Sequence, residues 1–204
     1  MKKILLAAIV AACSLAANAQ VWLGGSLGVS FNKTESTVND ATTKVNLNSF
    51  SISPVIGYEL SEKWDLGLEA RYSNAKSKYE KSDNRSSSSI FLINPFARYK
   101  FANVGIATFF VDGGFEVGET SSEQTSVSVN GLTTNQTEST RNNFNIGVRP
   151  GVKLALTKNL EAETHLGYIG YQRTKSDTNE EQVSKDFGMS VSSSDLYFGL
   201  IWKF

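Results

Sequence analysis

The sequence predicts an all-β protein, an eight-stranded antiparallel up-and-down transmembrane β-barrel with long extracellular loops and short periplasmic turns. The strongest sign lies in residues 196–204, where large apolar side chains occupy every second position. Alternate side chains of a strand point to opposite faces, so this segment has one continuous apolar face. Beyond the N-terminus, no stretch approaches the roughly 18 apolar residues of a spanning helix. Only helices and closed barrels satisfy the backbone in lipid, and the alternation therefore predicts a barrel.

Composition limits the classes of function. The chain has 204 residues with 20 basic and 20 acidic side chains, a length that suits one domain. A formal charge of zero gives no electrostatic reason to expect a nucleic-acid partner. Cys13 is the single cysteine, so no disulfide forms within the chain.

The N-terminus has the features of a secretory signal peptide. Two lysines precede an apolar stretch, and small residues lead up to Gln20. This order predicts cleavage between Ala19 and Gln20, with residues 1–19 as the signal peptide and 20–204 as the barrel domain. The residues that end at Cys13 also resemble a lipoprotein processing box, which would make Cys13 the lipidated N-terminus. The apolar run continues past this cysteine, and the small residues before Ala19 favour ordinary cleavage.

Seven earlier segments repeat the alternation of the last one. In the first, Val21, Leu23 and Leu27 share one face, while Ser26 and Ser30 lie on the other. Apolar side chains outside and small polar ones inside are typical of a membrane strand. The eight predicted strands are 21–31, 48–60, 64–73, 89–101, 104–117, 144–156, 160–171 and 196–204.

The connections between these strands alternate in length. Four of them are long polar stretches without periodicity, and three are turns of a few residues. Outer-membrane barrels have long surface loops and short periplasmic turns, so both termini are expected on the periplasmic side. The predicted loops are 32–46, 74–88, 118–142 and 172–194, and the predicted turns are 61–63, 102–103 and 157–159.

Two motifs resemble a known family. The hairpin sequence 52–68 and the terminal Gly199-x-x-Trp202-x-Phe204 are similar to the OmpA/OmpX-like small outer-membrane β-barrels of Gram-negative bacteria, also described as the outer membrane protein β-barrel domain or porin family. The resemblance covers the whole mature chain. It implies a barrel among outer-membrane lipids and lipopolysaccharide, with Gly199, Trp202 and Phe204 read by the outer-membrane assembly machinery. Tyr197 departs from this signal, which usually has a more polar residue there.

The inward faces of the predicted strands are rich in charge. An eight-stranded barrel has an interior just wide enough for side chains to fill, so these charges are expected to pair across the lumen. A filled polar core is favoured over a narrow ion path, because unpaired charges would be costly there. The predicted lumen network consists of Glu59, Asp65, Glu69, Arg71, Arg98, Lys100, Asp112, Glu116, Arg149, Lys153, Glu161, Glu163, His165, Asp195 and Lys203.

His165 is the only histidine and raises the question of catalysis. Some eight-stranded barrels are lipid A deacylases with a serine, a histidine and an acid, which requires a serine within reach of the imidazole. The next position on the same face is Gly167, and His165 points inward whereas a lipid substrate lies outside. A core histidine beside Glu161 or Glu163 is therefore favoured, and one histidine makes a metal site weak.

Aromatic residues cluster near the predicted strand ends. An aromatic girdle at the two membrane interfaces explains the outward members better than ligand stacking. In the seventh strand the alternation places Tyr168 outside and Tyr171 inside. The candidates are Trp22, Tyr58, Trp64, Tyr72, Tyr99, Tyr168, Trp202 and Phe204.

These patterns favour a monomeric, non-enzymatic barrel without cofactors, with a structural or surface-interaction role. Weak porin-like passage is compatible with that role. Two alternatives stay open, a lipid-modifying enzyme of the lipid A deacylase type and a narrow ion channel. The polar loops are expected to carry recognition of an extracellular ligand that no motif identifies.

Overall fold

A computed structural model describes residues 21–38, 41–79, 85–127, 134–177, 183–190 and 196–204. In these ranges no helix is long and apolar enough to cross a membrane. The described residues form ten β-strands, which are β1 (Val21–Val38), β2 (Ala41–Ser61), β3 (Trp64–Tyr79), β4 (Arg85–Val104), β5 (Ala107–Val127), β6 (Thr134–Ala155), β7 (Leu160–Leu166), β8 (Tyr168–Ser176), β9 (Val183–Ser190) and β10 (Leu196–Lys203).

The strands form a closed, eight-stranded antiparallel barrel. Each of β1 to β6 pairs with the next strand along the chain, and β10 returns to pair with β1. Strands β7 and β8 together make the seventh barrel strand, because both pair with β6. Strand β10 pairs with β7, and β9 pairs with β8. Together β9 and β10 make the eighth barrel strand. The up-and-down topology predicted from the alternation is confirmed.

Short turns join the strands at one end of the barrel. Two of them lie where the sequence predicts, at 62–63 and 156–159. The turn predicted at 102–103 is wrong, because β4 continues to Val104 and the turn consists of Gly105 and Ile106. Gly105 has a φ of 60°, a left-handed conformation that favours glycine. The alternation of the fifth predicted strand, 104–117, places Ile106 on the inner face, but Ile106 is exposed in the turn.

The strands at the opposite end are much longer than predicted. Most residues of the four predicted loops lie in β-strands that extend the hairpins. The predicted loop 172–194 also contains a complete strand, β9. At about 3.3 Å per residue, the 21 residues of β2 extend roughly 70 Å, well beyond an apolar band of about 25 Å. In residues 85–89 and 135–143 of these projecting halves, for example, successive positions carry Ser, Thr and Asn, so both faces of the strand are polar. The backbone ladder therefore continues where the apolar period ends.

A bulge in the seventh strand changes which side chains point inward. Gly167 separates β7 from β8, has a φ of 120°, and shifts the pairing with β6 by one residue. The expected orientations of Tyr168 and Tyr171 are therefore wrong. Tyr168 lines an interior cavity with Arg149, whereas Tyr171 pairs with the outward Ile146.

The two faces of the barrel wall differ in polarity. Large apolar side chains cover the outside, and many of them are exposed. Inside, Trp22, Phe96 and Ile201 form a small apolar cluster against which Val55 packs. Gly57 lies under the Trp22 ring and leaves no room for a Cβ atom. This cluster occupies the half of the interior nearer the short turns.

Candidate functional site

The charged side chains of the interior are arranged at three levels above the short turns. At the lowest level, Lys100 on β4 donates a hydrogen bond of 2.8 Å from Nζ to Oδ1 of Asp65 on β3. The same Nζ lies 3.3 Å from Glu59 Oε1. Lys100 and Asp65 are buried, so their charges neutralise each other away from bulk water.

A second cluster at the lowest level joins strands near the chain ends. Lys203 on β10 lies 2.7 Å from Glu161 Oε1, and Lys153 on β6 lies 3.0 Å from Glu161 Oε2. One carboxylate on β7 thus accepts two ammonium groups from its neighbouring strands. These ion pairs connect the last strand, β10, with β7 and β6.

Arg98 is the centre of the middle level. Its Nε and Nη2 donate to the two carboxylate oxygens of Asp112 at 2.7 and 2.9 Å, a bidentate geometry that arginine favours. Its Nη1 donates to Glu163 Oε2 at 2.8 Å. The Arg98 side chain is only 1% exposed. His165 Nε2 lies 2.9 Å from Asp112 Oδ2, so Asp112 links arginine and imidazole.

Aromatic rings enclose the Arg98 guanidinium. Its central carbon lies 3.8 Å from the centroid of the Phe110 ring, 5.4 Å from Trp22 and 5.5 Å from Phe96. A cation over an aromatic face is attracted by the ring quadrupole, more strongly when water is excluded. Phe110 is fully buried, and its ring meets His165 edge to face at 5.4 Å. The middle level is therefore filled by rings and paired charges.

The upper level is a closed ring of four alternating charges. Glu69 lies 2.9 Å from Arg71 and 3.1 Å from Arg149. Glu116 lies 3.5 Å from Arg71 and 3.6 Å from Arg149. Each arginine thus contacts both carboxylates, and the four charges cancel. The ring brings β3, β5 and β6 together across the interior.

Two amides complete the upper level. Asn94 donates to Glu69 Oε2, and Asn145 donates to Glu116 Oε2, each at 3.1 Å. The alternation of β4 and β6 already places both on the inner face, but nothing in the sequence identifies their partners. Asn94 shares Glu69 Oε2 with Arg149, whereas Asn145 donates to the Glu116 oxygen opposite the one nearest the arginines.

A polar cavity of about 30 Å³ lies between the middle and upper levels. Its walls include Ser53, Glu163 and His165. A space of this size between charged and hydroxyl side chains is large enough to hold water. In the described ranges no hydrogen bond joins a serine to His165, and no cluster of His, Cys, Asp or Glu has the arrangement of a metal site.

The structure gives each described member of the predicted lumen network an oppositely charged neighbour, with His165 included through Asp112. Asp195, Cys13, Ala19 and Gln20 lie outside the described residues.

In the terminal motif, Gly199 pairs with Glu163, Trp202 pairs with Leu23, and Phe204 follows the end of β10. The Trp64 ring stacks on Tyr99 with centroids 4.8 Å apart, while Trp22 lies inside the barrel.

An apolar outer face around a charged, enclosed interior defines an integral β-barrel protein of a membrane. The model of the family described as outer membrane protein beta-barrel domain matches residues 4–204, and the chain belongs to that family. The protein is accordingly a barrel of the outer membrane. No curated protein sequence matches the chain.

Solved structures of small outer-membrane barrels resemble the chain at low identity. Neisserial surface protein A is 17% identical with a TM-score of 0.41, over 91% of this chain and 97% of that one. Outer membrane protein OprG from Pseudomonas aeruginosa is 14% identical with a TM-score of 0.38, over 91% and 96%. The N-terminal barrel domain of OprF from the same organism is 15% identical with a TM-score of 0.30, over 91% and 98%.

Proposed function

We propose that the protein is a filled, non-enzymatic surface barrel whose role is carried by the hairpins that project from the membrane. The observation that carries this proposal is the middle level. Arg98 on β4 reaches Glu163 on β7, and these strands are not neighbours in the wall. The ion pair thus crosses the lumen with aromatic rings packed around it. An interior of this kind serves stability rather than transport.

The projecting hairpins supply the surface for interaction. Strands β5 and β6 remain paired out to Val127 and Thr134, far beyond the apolar belt. Paired strands hold polar side chains in a defined arrangement, which is better suited to recognition than an unstructured loop. The proposed partner is an extracellular ligand bound by these hairpins.

The proposal includes the route to the membrane. A signal peptide cleaved between Ala19 and Gln20 directs export in a Gram-negative cell, and the assembly machinery reads Gly199, Trp202 and Phe204. The barrel then lies as a monomer among outer-membrane lipids and lipopolysaccharide. No cofactor or nucleic acid has a part in this role.

Liposome swelling tests whether the lumen passes solutes. Vesicles that contain the purified protein are placed in an isotonic solution of a small sugar, and light scattering follows their volume. A filled lumen predicts the swelling rate of protein-free vesicles. Swelling well above that rate, and lost after heat denaturation of the barrel, would establish porin-like passage and overturn the proposal.

Mass spectrometry of lipid A tests the enzymatic alternative. The environment of His165 favours a structural role, because the ring contacts Asp112 and Phe110 inside the wall. Expression of the protein should leave the mass of lipid A unchanged. Loss of an acyl chain that depends on His165 would show a deacylase instead.

A further inference from the structure

The outer face of the barrel carries a ring of aromatic side chains where the projecting hairpins begin. On strands β2, β3, β4, β6, β8 and β9, the outward series changes from apolar to polar immediately beyond an aromatic residue. Aromatic residues of membrane barrels lie at the interface between hydrocarbon and headgroups. The ring therefore marks the headgroup level of the outer leaflet. Its members are Phe50, Tyr72, Phe91, Phe144, Tyr171 and Phe187.

The next outward position on each of these strands lies just beyond the ring. Two residues advance a tilted strand by roughly 5 Å along the membrane normal, so these positions lie among the headgroups. Arg173 on β8 and Lys185 on β9 are basic, whereas the other strands have neutral residues here. Among these strands, positive charge at this depth is thus confined to β8 and β9. The neutral residues are Asn48, Asn74, Ser89 and Asn142.

Arg173 and Lys185 face each other directly across two paired strands. They are partners in the register of β8 and β9. Arg173 also pairs with Phe144, which fixes its side chain on the outer face of the wall. Both cationic side chains are exposed. Like charges directly opposite each other in a sheet are destabilising. An anion bound between them would remove this repulsion.

No carboxylate among the described residues forms an ion pair with either cation. Asp186 is the only acidic residue of β8 and β9, and it lies on the inner face, where its Oδ2 accepts a 3.0 Å hydrogen bond from Ser184. Asp177, just beyond β8, accepts a 3.1 Å hydrogen bond from Asn142. Glu119 on β5 is separated from β8 by β6. The positive charge of the pair is therefore available to an external anion.

The chemistry of the pair suits a phosphate group that is attached to acyl chains. A guanidinium binds phosphate oxygens through two parallel hydrogen bonds, and an ammonium adds a compact charge. A phosphate monoester carries between one and two negative charges at neutral pH, enough to compensate both cations. Tyr171 and Phe187 lie directly below the pair on the lipid-facing side. A ligand with a phosphorylated head and acyl chains would contact both surfaces at once.

We propose that Arg173 and Lys185 bind a phosphate of lipid A, the phosphorylated glycolipid of the outer leaflet. The phosphate lies between the two cations, and the acyl chains lie along the outer face below Tyr171 and Phe187. The proposal rests on the proposed placement of the barrel among lipopolysaccharide and specifies which part of the wall holds it. The site lies outside the barrel, so liposome swelling can contradict the filled lumen without affecting it, and the reverse.

Native mass spectrometry of the folded protein in detergent measures the binding of lipid A. Bisphosphorylated lipid A is added in increasing amounts, and the fraction of protein with bound lipid gives the affinity. Arg173→Gln combined with Lys185→Gln should weaken binding about 5- to 30-fold, since each exposed charge contributes modestly. The charge-conserving exchange, Arg173→Lys with Lys185→Arg, should bind nearly as tightly as the native protein. Dephosphorylated lipid A with the same acyl chains should bind the native protein as weakly as the double glutamine variant binds lipid A.

Lys78→Gln combined with Arg85→Gln is the matched control. These residues also face each other directly and are exposed on the outer face. They lie six positions beyond Tyr72 and Phe91, well above the headgroups, whereas Arg173 lies two positions beyond its aromatic residue. The control removes the same charge and should leave the affinity for lipid A unchanged. The heat-modifiable gel shift confirms that each variant is folded.

Three results would overturn the proposal. One is equal loss of affinity in the control variant, which would show that net charge rather than the Arg173–Lys185 pair attracts the lipid. Another is tight binding of dephosphorylated lipid A, which would assign the contact to acyl chains alone. The third is tighter binding of phosphatidic acid than of lipid A, which would assign the site to a phospholipid.

Discussion

Arg98 and Glu163 lie 65 positions apart in the chain and form a 2.8 Å hydrogen bond across the barrel lumen. Two strands, β5 and β6, separate their own strands along the wall. This ion pair connects two parts of the barrel wall across the interior. Asp112 on β5 accepts two hydrogen bonds from the same guanidinium. The Arg98 side chain therefore connects β4 with both β5 and β7.

Replacing Arg98 with methionine should strongly destabilise the barrel. Methionine keeps much of the side-chain volume but leaves the Asp112 and Glu163 carboxylates without their cation. Breaking a buried ion pair in this way costs about 3–5 kcal/mol. Urea unfolding of the protein in lipid vesicles measures the loss. Arg85→Met, on the same strand but exposed, is the control and should change stability little. Equal stability of the two variants would contradict a structural role for the Arg98 ion pairs.

Gly167→Ala should destabilise the seventh barrel strand. The φ of 120° is strained for any residue with a Cβ atom, at a cost of about 1–3 kcal/mol. Gly188→Ala on β9 is the matched control, because an added Cβ meets no atom within 4 Å. Thermal unfolding monitored by the heat-dependent gel shift compares the two variants. If Gly188→Ala were the more damaging substitution, the bulge would not depend on glycine.

Gly57→Ala should displace Trp22 from its position beneath Arg98. The added Cβ would overlap the Trp22 ring, and overpacking of this kind costs about 1–3 kcal/mol. Gly113→Ala is the control, since its nearest neighbour would be a Val148 methyl at 4.0 Å. Tryptophan fluorescence and urea unfolding report the two effects. An unchanged spectrum and midpoint for Gly57→Ala would show that the interior yields without cost.

The alternation of side chains made the barrel predictable from the sequence. In β4, Asn94, Phe96, Arg98 and Lys100 follow an unbroken period of two and are all buried. The period carries this information because a strand with lipid on one face and a packed lumen on the other tolerates no error in parity. The prediction of side-chain orientation is wrong beyond Gly167 in the seventh strand. A bulge there shifts the alternation by one residue without changing the composition of the sequence.

Other features depend on contacts that sequence patterns do not encode. The alternation indicates that Arg98 and Glu163 point inward, but their pairing depends on strand stagger around the closed barrel. The projecting hairpins have polar residues on both faces, so periodicity gives no signal for them. Strand β9 is a partial exception, because Val183, Phe187 and Met189 fall on one face and could have identified it.

Deletion of Phe204 should reduce assembly in cells while leaving the folded barrel nearly intact. Phe204 follows the last strand and is half exposed, and its backbone contact is a 3.4 Å bond from its N–H to the carbonyl of Val21. Outer-membrane fractions should therefore contain less of the truncated protein, while refolding in detergent should proceed normally. Normal levels in the outer membrane would contradict a role in the assembly signal, and failed refolding would place the effect in the fold.

Single-channel recording in a planar bilayer tests the filled lumen most directly. A filled lumen predicts a steady baseline from the native protein, equal to that of a bilayer with detergent alone, because paired charges cross the described interior at three levels. The heat-modifiable gel shift confirms that the added protein is folded. Reproducible current steps from the native barrel, altered in amplitude by Arg98→Met, would place an ion path through the middle level and show that the lumen is not filled.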